Sequence, residues 1–361
     1  MASLTVKKYS KETIWKFCYE LLRWLKVPEE HAEIFSNATL DADLKGIHSH
    51  GVNMVPSYAN AIQRGAIKGD AKPRKIKDTA VLCLMDACGG LGQVAATCAM
   101  DEAVQKASKV GIGVAAVNNA NHFGAAGYYA QMAARKNMIG LVICNTPAFV
   151  PPWGGAESLF GTNPICIALP GGDKKPILVD MATSEAAMSK VLLAKRRGEK
   201  LPEGWVVDEE GMPTTDPDKV FTGTIPRAVF KGSLLPMSGP KGYGLTLAID
   251  TICALICSAK FSNDIKPLYG GTLEPSGMGY FLAALDIAHF TELEHYNKEI
   301  SARVDQIKDS RKAKGTEEIF LPGEIEQNKA KLYEREGIPL EAGVISQLNV
   351  LAENLGFKGR L

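Results

Sequence analysis

From residue 80 to residue 197, short apolar runs alternate with alanine-rich stretches, and no other feature of this sequence constrains the fold as tightly. Runs 80–85, 114–117, 139–144, 165–169 and 177–179 have the length and the Val/Ile content of buried strands. The stretches 93–110, 124–136 and 184–197 between them read as helices. Alternation of this kind predicts the α/β class with a covered sheet. Residues 280–286 add one late strand.

The flanks have another texture. Behind Ser10, a natural helix cap, Ile14, Phe17, Cys18, Leu21, Leu22 and Leu25 recur at three-and-four spacing. Pro28 opens a second helix with Glu29 and Glu30 in its first turn, where the helix dipole favours acids. Segment 198–240 is rich in Gly, Pro and Asp and reads as long surface loops; 242–259 is an apolar helix; from 289 onward the chain is charged and amphipathic. We therefore expect a helical domain built from both ends of the chain, 1–73 with 236–275 and 291–361. It packs around an α/β domain of 74–235 with 276–290. A length of 361 residues suits such a division, and 46% hydrophobic with 22% charged residues is ordinary for a globular chain.

Charge and cysteine usage narrow the function classes. Lys+Arg 41 against Asp+Glu 40 leaves a net charge of +1 with no long block of either sign, which argues against nucleic acid or anionic membrane as a partner. The most apolar stretch, 243–257, is shorter than a span and carries Asp250, so no membrane segment is expected. The opening residues lack an apolar signal core, and the eight scattered cysteines form no Cys-x-x-Cys pair; both favour a reduced, cytoplasmic setting.

Five constellations could carry chemistry. Gly90-Leu-Gly92-Gln-Val-Ala95 follows a strand and opens a helix, as a dinucleotide fingerprint does. The next strand, however, ends in Asn118 and Asn119 rather than an acid, so the glycines read more simply as a tight turn into a closely packed helix. His48-Ser49-His50-Gly51 offers two histidines, but no third or fourth ligand has metal spacing and no metal is expected. Alone, its histidines would read as solvated or capping residues. His122, in Asn121-His122-Phe123-Gly124, sits after a buried strand and before a helix, at the kind of strand end where α/β sheets bind ligands. Two Gly/Pro-dense loops, 145–155 and 161–164, flank strands of the same sheet and read equally as turns. Val179-Asp180-Met181-Ala182-Thr183-Ser184 runs from a strand into a helix, with Thr183 or Ser184 as a cap or a phosphate contact. Lys241, between glycines before the apolar helix, is placed to reach a phosphate or carboxylate, or simply solvent.

Taken in order, SHGVN (49–53), NHFGAAGYYA (121–130), PPWGG…GTNPI (151–165), VDMATS (179–184), LPEGW (201–205) and GPKGYGL (239–245) resemble the malate/L-lactate dehydrogenase family of the second type. That group includes ureidoglycolate, L-sulfolactate and 2,3-diketogulonate dehydrogenases and Δ1-piperideine-2-carboxylate reductase. The resemblance runs through 279–286 and the LPGE segment 321–324, nearly the whole chain. It implies a homodimeric oxidoreductase that uses NAD or NADP in a non-Rossmann α/β domain. It places His50, with Ser49 beside it, and His122 at the substrate. The cofactor contacts it implies are Phe123, Gly124, Thr146, Val179 to Ser184, Lys241 and the Gly323–Glu324 turn. One position departs. Family members carry arginine three residues after the SHG glycine, where it pairs with the substrate carboxylate, and here that residue is Met54. Either another cation, with Lys45 nearest in sequence, replaces it, or the substrate differs from a simple 2-oxo acid.

The expected reaction is reversible hydride transfer between nicotinamide and the α-carbon of a 2-hydroxy or 2-oxo carboxylate. His50 would carry the proton and His122 would orient or polarise, with the exchange of those roles open. A cyclic imine acid reductase and a catalytically weakened cofactor-binding protein are the alternatives. Arg196 and Arg197 would reach a 2′-phosphate or end a solvated helix.

Overall fold

The apolar runs pair into one seven-stranded sheet. The computed structural model describes residues 6–223, 229–268 and 271–361, with the side chain of Arg196 also set aside, so sequence expectations for the remaining positions lie outside the described residues. Leaving two-residue strands unnumbered, the strands are β1 (Val6–Tyr9), β2 (Arg74–Asp78), β3 (Leu82–Asp86), β4 (Ile112–Ala120), β5 (Met138–Cys144), β6 (Ile165–Leu169), β7 (Ile177–Met181), β8 (Met278–Asp286) and β9 (Ile338–Glu341). The sheet runs β2-β3-β4-β8-β5-β6-β7. Only β3 and β4 are parallel; the late strand β8 lies between β4 and β5 and is antiparallel to both.

These directions decide where a site can form. Met278 lies opposite Ala120, Tyr280 opposite Cys144, and Ile165 opposite both Ile143 and Met181. The ends of β4, β5 and β7 and the beginnings of β6 and β8 therefore share one edge. Segments 121–125, 145–146, 162–164 and 182–184, which include most of the candidate residues, all leave the sheet there.

Helices α4 (Gly92–Val110) and α5 (Ala126–Ala134) cover one face of the sheet with alanines, among them Ala95, Ala99, Ala103, Ala130 and Ala133. Small residues allow the backbones to approach closely. A Cβ on Gly113 would lie 1.9 Å from the Ala103 carbonyl, and one on Gly140 would lie 2.2 Å from that of Ala130. On the other face, Ile249 and Cys253 pack on Ile143, carried by α7 (Pro240–Thr251) and the π-helical turn Ile252–Ile256 that follows it. The single helix expected over 242–259 is thus an α-helix closed by a π-turn.

The N-terminal helices form as their spacing predicts. In α1 (Lys11–Trp24) the Ser10 side chain accepts from the Thr13 N–H. Together with α2 (Glu29–Leu44), α3 (Val55–Gln63) and α10 (Ala342–Asn354) it buries Phe17, Leu21, Phe35, Tyr58, Leu348 and Leu351 in a second core. The antiparallel pair β1–β9 joins the two ends of this unit. Segment 198–240 is more than loop: Val206–Val207, Pro213–Thr214 and Ser233–Leu234 form a small sheet over a third apolar cluster that includes Val150, Val191 and Val220.

Candidate active site

The turn that carries His50 is folded around a buried carboxylate. Asp43, in the last turn of α2, is wholly buried. It accepts the Val52 N–H at 2.7 Å and pairs with His48 Nδ1 at 2.9 Å. A Cβ on Gly51 would fall 2.1–2.4 Å from the Asp43 carboxylate atoms, so only glycine closes this turn. Burial raises the Asp43 carboxyl above its ordinary range, against the opposing pull of His48 and the Val52 amide. The two histidines of the turn consequently take different partners: His48 is held by Asp43, whereas His50 Nδ1 lies 2.9 Å from Ser49 Oγ.

His122 leaves the end of β4 and meets this turn. The His50 and His122 rings stack with centroids 5.5 Å apart at 24°. His122 Nδ1 lies 2.6 Å from Tyr58 Oη of α3 and accepts the Gly124 N–H at 3.3 Å. Asn121 anchors the segment by donating to the Gly89 and Gly90 carbonyls and accepting from Ser276 N–H. Both rings are half-buried and closely surrounded by protein. That surrounding lowers both pKa values, and the neighbouring His50 charge helps take His122 to about 3. The site side of Gly92 is closed: a Cβ there would lie 2.3–2.4 Å from the Asn121 and His122 carbonyls. The glycine fingerprint is therefore packing, and the start of α4 is occupied by the His122 segment itself.

Beside the histidines the edge is open. Gly124 adopts φ +84° with nothing within 4 Å of the position a Cβ would take. From there the wall continues along the start of α5, where the Gly127 N–H donates to Asp180 Oδ2 at 2.8 Å. Asp180 is reachable by solvent yet crowded by neighbouring protein, which pushes its carboxyl up to about 6 against the opposing charge of Lys45. Lys45 is itself buried and bound to Asp41 at 2.5 Å. Met54 caps α3, half-buried against the N-terminal core.

The other sequence candidates fall into three groups. Thr146 lies on the shared edge, its Oγ1 accepting the Thr162 N–H at 3.0 Å and its own N–H donating to Asn163. Val179 is half-buried, Met181 is exposed and Ala182 is half-buried at the end of β7. Lys241 is exposed in the first turn of α7, which follows Gly239, itself seated on Trp153 of the PPWGG loop. A third group has side chains committed to the protein. Phe123 is in the core against Tyr129 and Tyr280. Thr183 Oγ1 lies within 3.0 Å of the Thr162 carbonyl, and Ser184 Oγ donates to that of Ala186. Neither caps a helix, because the next one, Met188–Arg197, begins after Ala187. Gly323 seats on Leu178, and Glu324 binds Lys308 and the Leu321 N–H. Any ligand contact from this third group would have to come from its backbone.

Asp43 and Tyr58 were missed from sequence. An acid and a tyrosine on amphipathic helices give no signal until their partners are known. Two other features carry no chemistry of this kind. Among the described residues, Asp78, Cys83 and Glu102 lie close together, but Lys75 and Lys106 neutralise the carboxylates. A separate hollow of about 770 Å³, lined by Lys195, Lys200, Thr214 and Asp218 among others, has no histidine.

Known proteins resemble the chain over nearly its whole length. The family model for malate/L-lactate dehydrogenase matches residues 9–349. The chain belongs to this family. An L-sulfolactate dehydrogenase of Methanocaldococcus jannaschii is 39% identical over 94% of this chain and 95% of its own length. Two further relatives are each 31% identical: a ureidoglycolate dehydrogenase (NAD(+)) of Escherichia coli K12 covers 92% of each chain, and a (2R)-3-sulfolactate dehydrogenase (NADP(+)) of Chromohalobacter salexigens covers 90% of this chain and 92% of its own. The solved sulfolactate dehydrogenase of M. jannaschii superposes with a TM-score of 0.88 at 38% identity, over 97% of this chain and 98% of that one. A Δ1-piperideine-2-carboxylate reductase of Pseudomonas syringae is a more distant neighbour, at 26% identity and a TM-score of 0.84 over 96% of this family member and all of that chain.

Proposed function

We propose that this family member is an NAD(P)-dependent dehydrogenase that interconverts a 2-hydroxy carboxylate and its 2-oxo form. The observation that carries the reading is the His50–His122 pair, stacked at the strand edge beside the open Gly124 ledge. When bound, the nicotinamide accepts or supplies the hydride. The residues fit such a group: Gly124 leaves room for close approach at the start of α5, Thr146 and Asp180 lie along the same edge, and the segment that leads to Lys241 is tied to it where the Met237 N–H donates to the Thr183 carbonyl. The backbones of Phe123, Thr183, Ser184, Gly323 and Glu324 complete the proposed cofactor contacts.

His50 carries the proton. In the oxidation direction its neutral ring takes the hydroxyl proton as the alkoxide develops, and in reduction it returns the proton to the oxygen. Ser49 Oγ, 2.9 Å from His50 Nδ1, orients the ring. His122 stays neutral and polarises the reacting oxygen. With Met54 in place of a cation, the substrate carboxylate relies on other donors, and Lys45 is the nearest in sequence.

The same reading divides the chain into a helical part of 1–73, 236–275 and 291–361 and a cofactor part of 74–235 and 276–290. The separate N-terminal and sheet cores support that division. One parallel pairing among the six in the sheet supports a cofactor domain outside the Rossmann type. Leu247, Leu255, Ile256 and Phe261, each 40–63% exposed, form an apolar surface suited to a homodimer contact. Along α7 itself Leu247 is open, whereas Ile249 is core and Leu245 and Ile252 pack against that core. A cytoplasmic setting accords with six of the eight cysteines being buried as free thiols.

The test is oxidation of NADH and NADPH with a panel of 2-oxo acids and cyclic imine acids, run on the parent, His50→Ala and His122→Ala proteins. We expect turnover with a 2-oxo acid and a ~10²–10⁴-fold loss in each variant. Turnover of imines alone would favour the reductase alternative. Tight cofactor binding without turnover would favour a weakened enzyme.

A further inference from the structure

We propose that Tyr58 is a positioning residue that locks His122 in one tautomer, with its proton on Nε2, and so fixes it as a hydrogen-bond donor to the reacting oxygen. Two donors converge on His122 Nδ1. The Gly124 backbone N–H, at 3.3 Å, has no acceptor capacity, so Nδ1 presents its lone pair. The Tyr58 hydroxyl has two acceptors within reach, Nδ1 at 2.6 Å and the His122 carbonyl at 3.2 Å, and with the Nδ1 lone pair turned outward its one proton goes to the nearer. The ring proton then sits on Nε2, which has no protein partner among the described residues. His50, whose Nδ1 faces a serine hydroxyl able to donate or accept, is left free to change protonation state.

The surroundings hold Tyr58 in place. It is 2% exposed, packs edge-on against Phe35 at 5.0 Å, and has the buried Gln93 side chain beside its hydroxyl. Burial raises its pKa well above the ordinary phenol value, so the hydroxyl keeps the proton it donates. The lock joins α3, which follows the His50 turn, to the end of β4, which carries His122, and so sets the two rings relative to each other. Its catalytic consequence rests on the dehydrogenase reading above, but the tautomer itself does not.

The experiment is a long-range ¹H–¹⁵N correlation spectrum of protein labelled in its imidazole nitrogens, with the His122 signals assigned by their loss in His122→Gln. We expect an unprotonated Nδ1 and a protonated Nε2 that persist across roughly pH 5 to 8. In Tyr58→Phe, which keeps the ring and its packing, we expect exchange between tautomers and a ~10-fold lower kcat with little change in cofactor KM. A parent spectrum with the proton on Nδ1 overturns the proposal, whether or not the variant folds. So does a Tyr58→Phe protein with the parent's spectrum and kcat. A locked Nε2–H tautomer in a parent protein that turns over none of the panel would sustain the lock and sink the dehydrogenase reading.

Discussion

The two site histidines are governed by crowding, and their pH behaviour follows from its sign. His122 has an ordinary value of 6.5 in the unfolded chain and about 3 in the fold. Between those values the unfolded state binds a proton that the native state does not, so stability is full above pH 6.5 and falls on acidification by up to about 1.4 kcal/mol per unit. Asp180, raised to about 6, titrates in an overlapping window with the opposite sign, so the effect must be read as a difference. Urea midpoints for the parent and His122→Gln should move in the variant's favour by about 1–2 kcal/mol between pH 6.5 and 5. His50 is also lowered, so oxidation of the hydroxy acid should hold its rate below pH 6.5 before the base protonates. At Met54 the half-buried side chain retains a path to water, and Met54→Arg should fold. If it faces the substrate carboxylate, KM for simple 2-oxo acids should fall by one to two decades, matching ~1.5–3 kcal/mol for a charge-assisted hydrogen bond. Melting temperature and KM measured on that one protein separate a pocket position from a core position. The place of His122 was legible from the buried strand that precedes it, whereas its meeting with His50, in a turn after α2, was implied only by the family resemblance. Asp43 was not, since its role depends on a turn nine residues away folding back onto it.

At the scale of elements, the strands expected on the sheet all form, but 114–117 is only the middle of Ile112–Ala120, whose end carries the polar Asn118 and Asn119, while others were read nearly to their ends. The expected 139–144 became Met138–Cys144, and 165–169 was unchanged. Strand Arg74–Asp78 was missed because all five residues are exposed; its sequence, RKIKD, is set in the sheet by β3 alone. Strand direction was also illegible: alternating strands and helices suggest parallel pairing, but β8 inserts from residue 278 between β4 and β5 and reverses the local order. Gly92 shows how a correct local reading acquires a functional consequence. Its alanine variant would force a methyl group against the Asn121 and His122 carbonyls. Gly92→Ala should lower the melting temperature and, in the folded fraction, reduce turnover while cofactor affinity stays within a few fold. Calorimetry beside cofactor titration checks this; a selective loss of cofactor affinity at unchanged melting temperature would restore the fingerprint reading.

For the whole molecule, the exposed apolar residues around the π-turn predict association. Light scattering at micromolar concentration should report a dimer, and Ile256→Lys, which places a charge on a residue 63% exposed, should shift it toward monomer without lowering secondary structure. The pairing of Val6–Tyr9 with Ile338–Glu341 has a consequence for synthesis. A nascent chain can assemble α1 and α2 early, but the strand beside them has no partner until residue 341 clears the ribosome. The helix that follows that partner, Ala342–Asn354, packs on α3, the helix that bears Tyr58. The core behind the histidine pair therefore closes through contacts of very long sequence separation, which folding reaches slowly.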